Sequence, residues 1–296
     1  MSNIGATSTK HCLICKGGRK NACLHWHIDP EDGAIWVYCV GKCQRGYSIR
    51  SYCYHAGIDL PEFLKGEFDF KEAPPNELQV MNWPARFIPM SDTRAEAGVN
   101  YIHSRGLTPE GDMYYDVERK GIVFPYYYEN HFCGAQTRFI EPVIHPDGEV
   151  QKMDTLPGTR LGLLFYGWQQ GKFIGNVKGV IVTEGAFNAI SVNQAFNLVY
   201  GGISNNPWRA ISCNGAGATK HHQEALKELK EQGLKVIIAP DTDDAGMKML
   251  KKFKDAGAAT HYALTDSLDD WNEKLKELGR KEFARFLLSK VKKIDE

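Results

Sequence analysis

The stretch Val180-Ile-Val-Thr-Glu-Gly185 places a short apolar run directly before a glutamate and a glycine. A second stretch, Val236-Ile-Ile-Ala-Pro-Asp-Thr-Asp-Asp-Ala-Gly246, repeats this arrangement with aspartates. Both runs have the length and the β-branched content of buried strands, and the segments that follow them, 186–196 and 244–256, have the apolar spacing of helices. Strands that alternate with helices predict an α/β unit built on a parallel sheet.

Carboxylates follow both predicted strands. Ligand-binding groups of open α/β sheets collect at the carboxyl ends of strands, so we expect Glu184, Asp241 and Asp243 to converge if the two strands are neighbours. Crowded carboxylates repel one another unless a hard cation neutralises them, and their oxygens suit Mg²⁺ or Mn²⁺, which can support phosphoryl transfer. Either motif alone also has an ordinary interpretation, because Asp-x-Asp often caps a helix and a glutamate often begins one.

The N-terminal part contains two close pairs of cysteines, Cys12-x-x-Cys15 and Cys39-x-x-x-Cys43. Two strand-like halves around Asp29 to Gly33 separate the pairs. This spacing predicts a structural zinc site, because four thiolates complete a tetrahedron and leave no position for water. Histidines remain alternative ligands, namely His11, His25 and His27. The other four cysteines are expected to be buried thiols, namely Cys23, Cys53, Cys133 and Cys213.

The 296-residue chain is long enough for two or three compact units. Apolar spacing predicts a helix from Arg94 to Arg105 and strands over 121–128 and 132–140, so the middle region is α+β. We therefore expect five segments: a zinc-binding domain at 1–64, a proline-containing linker at 65–90, an α+β part at 91–176, the α/β unit at 177–270 and a helical segment at 271–296.

Composition excludes some classes of protein. The formal net charge is zero, so any attraction to nucleic acid must come from local basic patches. No apolar run is long enough to cross a bilayer and the first residues do not form a secretion signal, so we expect a cytoplasmic protein without membrane contact. A nucleotide-binding P-loop is absent from the sequence, which predicts that any helicase is a separate partner.

The motifs Thr183-Glu-Gly-Ala-Phe-Asn-Ala189 and Asp241-Thr-Asp-Asp-Ala-Gly246 resemble those of the bacterial and phage DNA primases, which join a zinc ribbon to an RNA polymerase core with a TOPRIM subdomain. Leu268-Asp-Asp-Trp-Asn272 is similar to the third acidic motif of that family and adds Asp270 as a supporting residue. The resemblance implies synthesis of short RNA primers from ribonucleoside triphosphates on single-stranded DNA. An RNA–DNA hybrid would be the product, and Glu184, Asp241 and Asp243 would hold the divalent metal.

The resemblance extends into the middle region. Lys120-Gly-Ile-Val-Phe-Pro125 and Gly134-Ala-Gln-Thr-Arg138 are similar to the paired strands that precede TOPRIM in primases, and Leu164-Phe-Tyr-Gly167 is similar to a later apolar step. Family members use basic side chains here to bind template and nucleotide, which implies this role for Arg138 and Lys152, followed by Arg160 and Lys120. The chain departs from the family at Asn188, where an aspartate is usual, so that an acidic contact is lost.

These features imply a phage-type primase without a fused helicase, working in the host cytoplasm if the protein is viral. The alternative is a non-catalytic DNA-binding module of recombinational repair, since some repair proteins also combine a zinc knuckle with TOPRIM. Such proteins are shorter and lack the α+β region, so the segment from Lys120 to Gly167 separates the two interpretations.

Overall fold

The protein is described by a computed structural model. The described residues are 24–28, 35–39, 45–48, 52, 78, 80–144, 148, 150–168, 177–215, 218–267 and 269–294. The chain divides into two compact units. One contains residues 1–77 and 145–149, and the other contains residues 78–144 and 150–296.

The first unit contains a three-stranded antiparallel sheet. Its strands are β1 (Leu24–Ile28), β2 (Ile35–Cys39) and β3 (Arg45–Ser48), with β2 in the centre. The pairing of β1 with β2 confirms the two strand-like halves expected between the cysteine pairs. Cys39 ends β2 and is buried. Cys12, Cys15, Cys43 and His11 lie outside the described residues, as do the side chains of His25 and His27.

The second unit begins with an antiparallel sheet whose five strands are paired in chain order. The strands are β4 (Phe87–Pro89), β5 (Tyr114–Asp116), β6 (Gly121–Tyr128), β7 (His131–Ile144) and β8 (Val150–Thr155). A 3₁₀ turn at Thr93–Ala95 and helix α1 (Glu96–Ser104) lie between β4 and β5. This confirms the α+β character that the sequence predicts for the middle region.

The predicted linker, 65–90, is too long at its C-terminal end. Strand β4 lies within it, and the Phe87 side chain is buried. Trp83 packs edge-on against Phe132, and the Met81 amide donates a hydrogen bond to the Phe132 carbonyl oxygen. The prolines of this region led to the prediction of a linker. The short strand β4 has no regular apolar pattern in the sequence, and aromatic packing stabilises this region.

A second sheet forms the C-terminal part of this unit. Its strands are β9 (Gly179–Thr183), β10 (Trp208–Ser212), β11 (Lys235–Ala239), β12 (His261–Tyr262) and β13 (Lys292–Lys293). Their order is β10-β9-β11-β12-β13, and only β13 is antiparallel to its neighbour. The helices are α2 (Ala186–Tyr200), α3 (Lys220–Glu231), α4 (Asp244–Asp255) and α5 (Trp271–Ser289). The α/β architecture expected from the two quoted stretches is therefore present.

Alternating residues of the central strands face two different cores. Val180 and Val182 of β9 pack with α3 and α4, whereas Ile181 packs with α2 and α5. The second core also contains Phe124 of β6 and Ile102 of α1. One face of the antiparallel sheet is therefore continuous with the core of the parallel sheet, and burial of this shared apolar surface holds the two parts of the unit together.

Helix α5 belongs to this core rather than to a separate C-terminal segment. Trp271 and Phe283 are fully buried, and the helix kinks at Gly279, whose φ is 72°. No helix among the described residues combines the length and apolar content needed to cross a lipid bilayer.

Candidate active site

The carboxylates of the two quoted motifs share one edge of the parallel sheet. Strand β9 is hydrogen-bonded to both β10 and β11, and Thr183 is paired in register with Ala239. Glu184 follows β9 directly, and Asp241 follows β11 after one proline. The chain leaves β9 toward β10 on one side and leaves β11 toward β12 on the other, so this is the point where the strand order reverses. Such points form the binding crevices of open α/β sheets.

Asp241 lies in the most strongly perturbed environment of this edge. Burial is the main cause that raises the pKa of its carboxyl group from the ordinary 3.8 to about 7. The negative charges of Glu184, Asp270 and Asp243 raise it further, in that order. A hydrogen bond from the Asn188 amide acts in the opposite direction. Without a cation, this carboxyl group therefore keeps its proton to a much higher pH than an ordinary aspartate does.

Glu184 has a buried oxygen, Oε2. No residue in the described part of the chain donates a hydrogen bond to it. Burial raises the pKa of Glu184, and the charge of Asp243 raises it further. A buried acceptor without a donor is costly, so an oxygen of this kind is well suited to a cation.

Asp243 and Asp270 each cap a helix as well as lying close to Asp241. The Gly246 amide donates to Asp243 Oδ1 over 2.8 Å at the start of α4. The Glu273 amide donates to Asp270 Oδ1 over 2.8 Å at the start of α5. The capping interpretation of Asp-x-Asp is thus correct for Asp243, and it coexists with the clustering of charge because each carboxylate has a second oxygen.

A network of buried polar side chains supports Asp241 from below. Asn188 Nδ2 donates to Asp241 Oδ1 over 2.8 Å, and Asn188 Oδ1 accepts from the Asn272 main-chain amide over 3.1 Å. The Asn272 side chain accepts from Arg105 Nη1 over 3.0 Å and donates to Ser191 Oγ over 2.9 Å. Sequence reasoning treated Asn188 as the loss of an acidic contact, whereas the structure shows a direct contact with a proposed metal ligand. Its position four residues after Glu184, at the start of a helix, was the available signal.

The four predicted basic residues do not share one surface. Arg138 in β7 is in register with Ile122 and Met153, and it faces the core shared with the parallel sheet. Its Nε atom is buried, and none of the residues that the structure describes accepts a hydrogen bond from it. Lys152 precedes Met153 in β8 and is exposed, so strand alternation turns it to the opposite face.

The remaining two basic residues lie at turns. Lys120 is exposed in the turn before β6, with a φ of 49°. Arg160 is half-buried and precedes a short 3₁₀ turn at Leu161–Leu163. Cys133 and Cys213 are buried, as expected of plain thiols.

The donor set at this edge fits a hard divalent cation. Carboxylate oxygens are the preferred ligands of Mg²⁺. Glu184 supplies one such oxygen, Oε2, which accepts no hydrogen bond from the described residues. Within the described ranges, however, no three His, Cys, Asp or Glu side chains already form a group that could hold a metal ion. The carboxylates therefore share an edge without forming a closed set of ligands.

Comparison with known proteins agrees with this architecture. Residues 181–275 match the Toprim-like family model. The RNA polymerase domain of Mycobacterium tuberculosis primase DnaG, in complex with a double-stranded DNA oligomer with a 6-nucleotide overhang, is 15% identical, with a TM-score of 0.52 over 69% of this chain and 75% of that one. Another structure of the same domain is 15% identical, with a TM-score of 0.51 over 68% of this chain and 78% of that one. A structure of the DnaG catalytic core is 15% identical, with a TM-score of 0.50 over 69% of this chain and 76% of that one. A search of the curated proteins found no match.

The second unit has the fold of a primase catalytic core. The resemblance to the primase family is thereby confirmed at the level of fold. The Toprim-like part of this primase fold runs from Ile181 in β9 to Leu275 in α5. It thus contains all four clustered carboxylates and Asn188. The structural match to DnaG covers 69% of the chain, which is more than residues 181–275 make up. The match therefore includes residues outside the Toprim-like part.

Proposed function

We propose that the protein is a DNA primase, which synthesises short RNA primers from ribonucleoside triphosphates on single-stranded DNA. The observation that carries this proposal is the cluster of carboxylates at the strand-order reversal of a primase-like core. Glu184, Asp241 and Asp243 would hold Mg²⁺ or Mn²⁺, with Asp270 in support. The cation would neutralise triphosphate oxygens and stabilise the attacking and leaving oxygens of phosphoryl transfer.

The protein's own groups have distinct parts in this proposal. The buried Glu184 Oε2 offers an unshared acceptor, and the Asp243 and Asp270 caps fix two further carboxylates at helix starts. Arg138 presents a buried guanidinium Nε atom without a partner, which a phosphate oxygen of nucleotide or template could satisfy. Lys152, Lys120 and Arg160 remain proposed nucleic-acid contacts at the periphery.

The cysteine pairs belong to the same proposal. Cys12, Cys15, Cys39 and Cys43 would hold a structural Zn²⁺ ion in the first unit, which would select the start site on the template. A separate helicase would deliver that template, and the protein would work in the cytoplasm. Zinc content after purification, measured by atomic absorption, tests the metal directly, and a zinc-free folded protein would refute this part.

Labelled ribonucleotide incorporation on oligonucleotides of varied sequence tests the activity. Asp241→Ala or Asp243→Ala should abolish dinucleotide synthesis while template binding is largely retained. Asp255→Ala is the matched control, because Asp255 is an exposed carboxylate at the far end of α4. Template binding without any synthesis by the unaltered protein would instead favour the non-catalytic repair module, and full synthesis by Asp241→Ala would reject the assigned site.

A further inference from the structure

We propose that Asn188 is a positioning residue for Asp241, which holds one carboxylate oxygen so that the other remains directed to a divalent cation. The inference rests on the proposed function, since it concerns the same acidic site. Asn188 is only 4% exposed, and its amide nitrogen lies 2.8 Å from Asp241 Oδ1. None of the described residues donates a hydrogen bond to the second oxygen, Oδ2.

The chemistry of the two partners determines the orientation of the Asn188 amide. A main-chain N–H can only donate hydrogen bonds, and a carboxylate that a bound cation keeps ionised can only accept them. Asn188 Nδ2 must therefore face Asp241, and Oδ1 must face the Asn272 amide, as the structure has them. An aspartate here could accept from Asn272, but it could not donate to an ionised Asp241.

Asn188 is itself immobilised. The Asn272 side chain, which is fully buried, is bound by Arg105 and Ser191, so the main chain that contacts Asn188 has little freedom. The Arg105 guanidinium also lies 4.7 Å from the ring centroid of Phe187, the neighbour of Asn188. Helix α2 is thus fastened at this point to both α1 and α5. A carboxylate held by a fixed donor loses less rotational freedom when it binds a cation.

The charge of residue 188 gives this chain a distinctive site. A neutral amide contributes one negative charge fewer than an aspartate would, in a cluster where Glu184, Asp243 and Asp270 already repel Asp241. Asn188→Asp retains an acceptor for the Asn272 amide but changes the contact with Asp241 from attraction to repulsion. Asn188→Ala removes both contacts. The two variants therefore separate support of helix α5 from positioning of Asp241.

The inference is tested by the binding of Mn²⁺ to the full chain, which calorimetry and electron paramagnetic resonance measure directly. For Asn188→Ala we expect a dissociation constant about 10-fold higher, the usual effect of removing a group that orients a metal ligand. For Asn188→Asp we expect a larger rise in melting temperature on adding Mn²⁺ than in the unaltered protein, because the cation relieves an added repulsion. Asn193→Ala is the matched control: it removes a part-buried amide on the same helix whose hydrogen bonds go to the main chain of Ala210 in β10, and it should keep the original dissociation constant.

The outcomes distinguish this inference from the proposed function. If Asn188→Ala and Asn188→Asp both respond to Mn²⁺ as the unaltered protein does, the positioning role is wrong while the metal site stands. If the unaltered protein does not bind Mn²⁺, or Asp241→Ala binds it equally well, the metal site itself is wrong and the positioning role fails with it. If Asn188→Ala does not fold, the near-isosteric Asn188→Leu, which also lacks the amide donor, takes its place in the same titration.

Discussion

Gly246 packs directly against the main chain of Asp241. A β-carbon at residue 246 would lie 2.0 Å from the Asp241 carbonyl oxygen, far inside van der Waals contact. Gly246 also donates its amide hydrogen to Asp243 Oδ1 over 2.8 Å. The glycine that ends the aspartate motif is therefore required by the close approach of α4 to the strand end, and it contacts both aspartates of the motif.

Gly246→Ala should displace Asp241 and weaken the site. The clash is with main chain rather than with a flexible side chain, so we expect a loss of about 2 to 4 kcal/mol in the free energy of unfolding. Mn²⁺ affinity should fall as well. Urea denaturation and Mn²⁺ titration measure the two effects. Gly111→Ala is the control, because a β-carbon there meets nothing within 4 Å; equal behaviour of the two variants would contradict the packing argument.

Glu110 should make the stability of the protein depend on pH. Burial, and then the charge of Asp112, raise the pKa of Glu110 from 4.5 to about 7. Because the carboxyl group binds its proton more tightly in the folded state, its contribution to stability is fully present at pH values below its pKa in the unfolded chain. This contribution is lost as the pH rises through the folded-state pKa of about 7. Glu110→Gln should therefore resemble the unaltered protein at pH 4 and be more stable at pH 8.

Chemical denaturation at both pH values measures this difference. Asp241 titrates in the same direction, so Glu110→Gln should remove only part of the pH dependence. Glu231→Gln, at an exposed position near the end of α3, is the matched control. A Glu110→Gln variant that is less stable than the unaltered protein at pH 8 would show that the ionised carboxylate is favourable in its environment.

Trp271 should support the acidic edge from α5. Its indole Nε1–H donates to the carbonyl oxygens of Ala239 and Pro240, over 3.0 and 3.2 Å, just before Asp241. Trp271→Phe leaves these carbonyl groups without the donor, and we expect a loss of about 1 to 3 kcal/mol in the free energy of unfolding. Trp83→Phe removes a similar bond to the Phe87 carbonyl at a partly exposed site. Trp83→Phe should therefore lower the free energy of unfolding by less than Trp271→Phe does. Thermal denaturation of the two variants measures this difference.

Arg138 and Lys152 should differ in their effect on primer synthesis. Arg138 faces the shared core with an unsatisfied Nε atom, whereas Lys152 is exposed on the other face of the sheet. If Arg138 contacts a phosphate, Arg138→Ala should reduce primer synthesis by about 100-fold. Lys152→Ala should mainly weaken template binding, and the affinity for template should then depend less steeply on salt concentration. Steady-state kinetics and fluorescence anisotropy at several salt concentrations measure these effects. The reverse ranking would assign the main phosphate contact to Lys152.

The strands and helices that carry the acidic site could be predicted because local pattern and tertiary environment agree there. Val180 to Thr183 is buried on both faces, so its uninterrupted apolar run identifies a central strand. Strand β10 was missed because Arg209 interrupts its apolar run. That arginine is buried, and its guanidinium donates to the main-chain carbonyl oxygens of Asn206, Trp208 and Ile203.

The convergence of Glu184 with Asp241 could be anticipated only on the condition that their strands are neighbours. The sequence has no marker of strand order, and the pairing of β9 with β11 supplies it. The Asn188–Asn272–Arg105 network lay beyond prediction for a similar reason, because its members are up to 167 residues apart in the chain. Contacts of this range depend on the packing of whole elements.

On each side, the parallel strands meet another segment of the protein's own backbone. Tyr166 pairs with Ser212 beside β10, and the two lysines of β13 run antiparallel beside β12. Unpaired strand borders invite other chains to add on, and lysines discourage this. Deletion of the segment after Ser289 would leave β12 with open amide and carbonyl groups, so such shortened versions should self-associate through this border even where their acidic residues are unchanged.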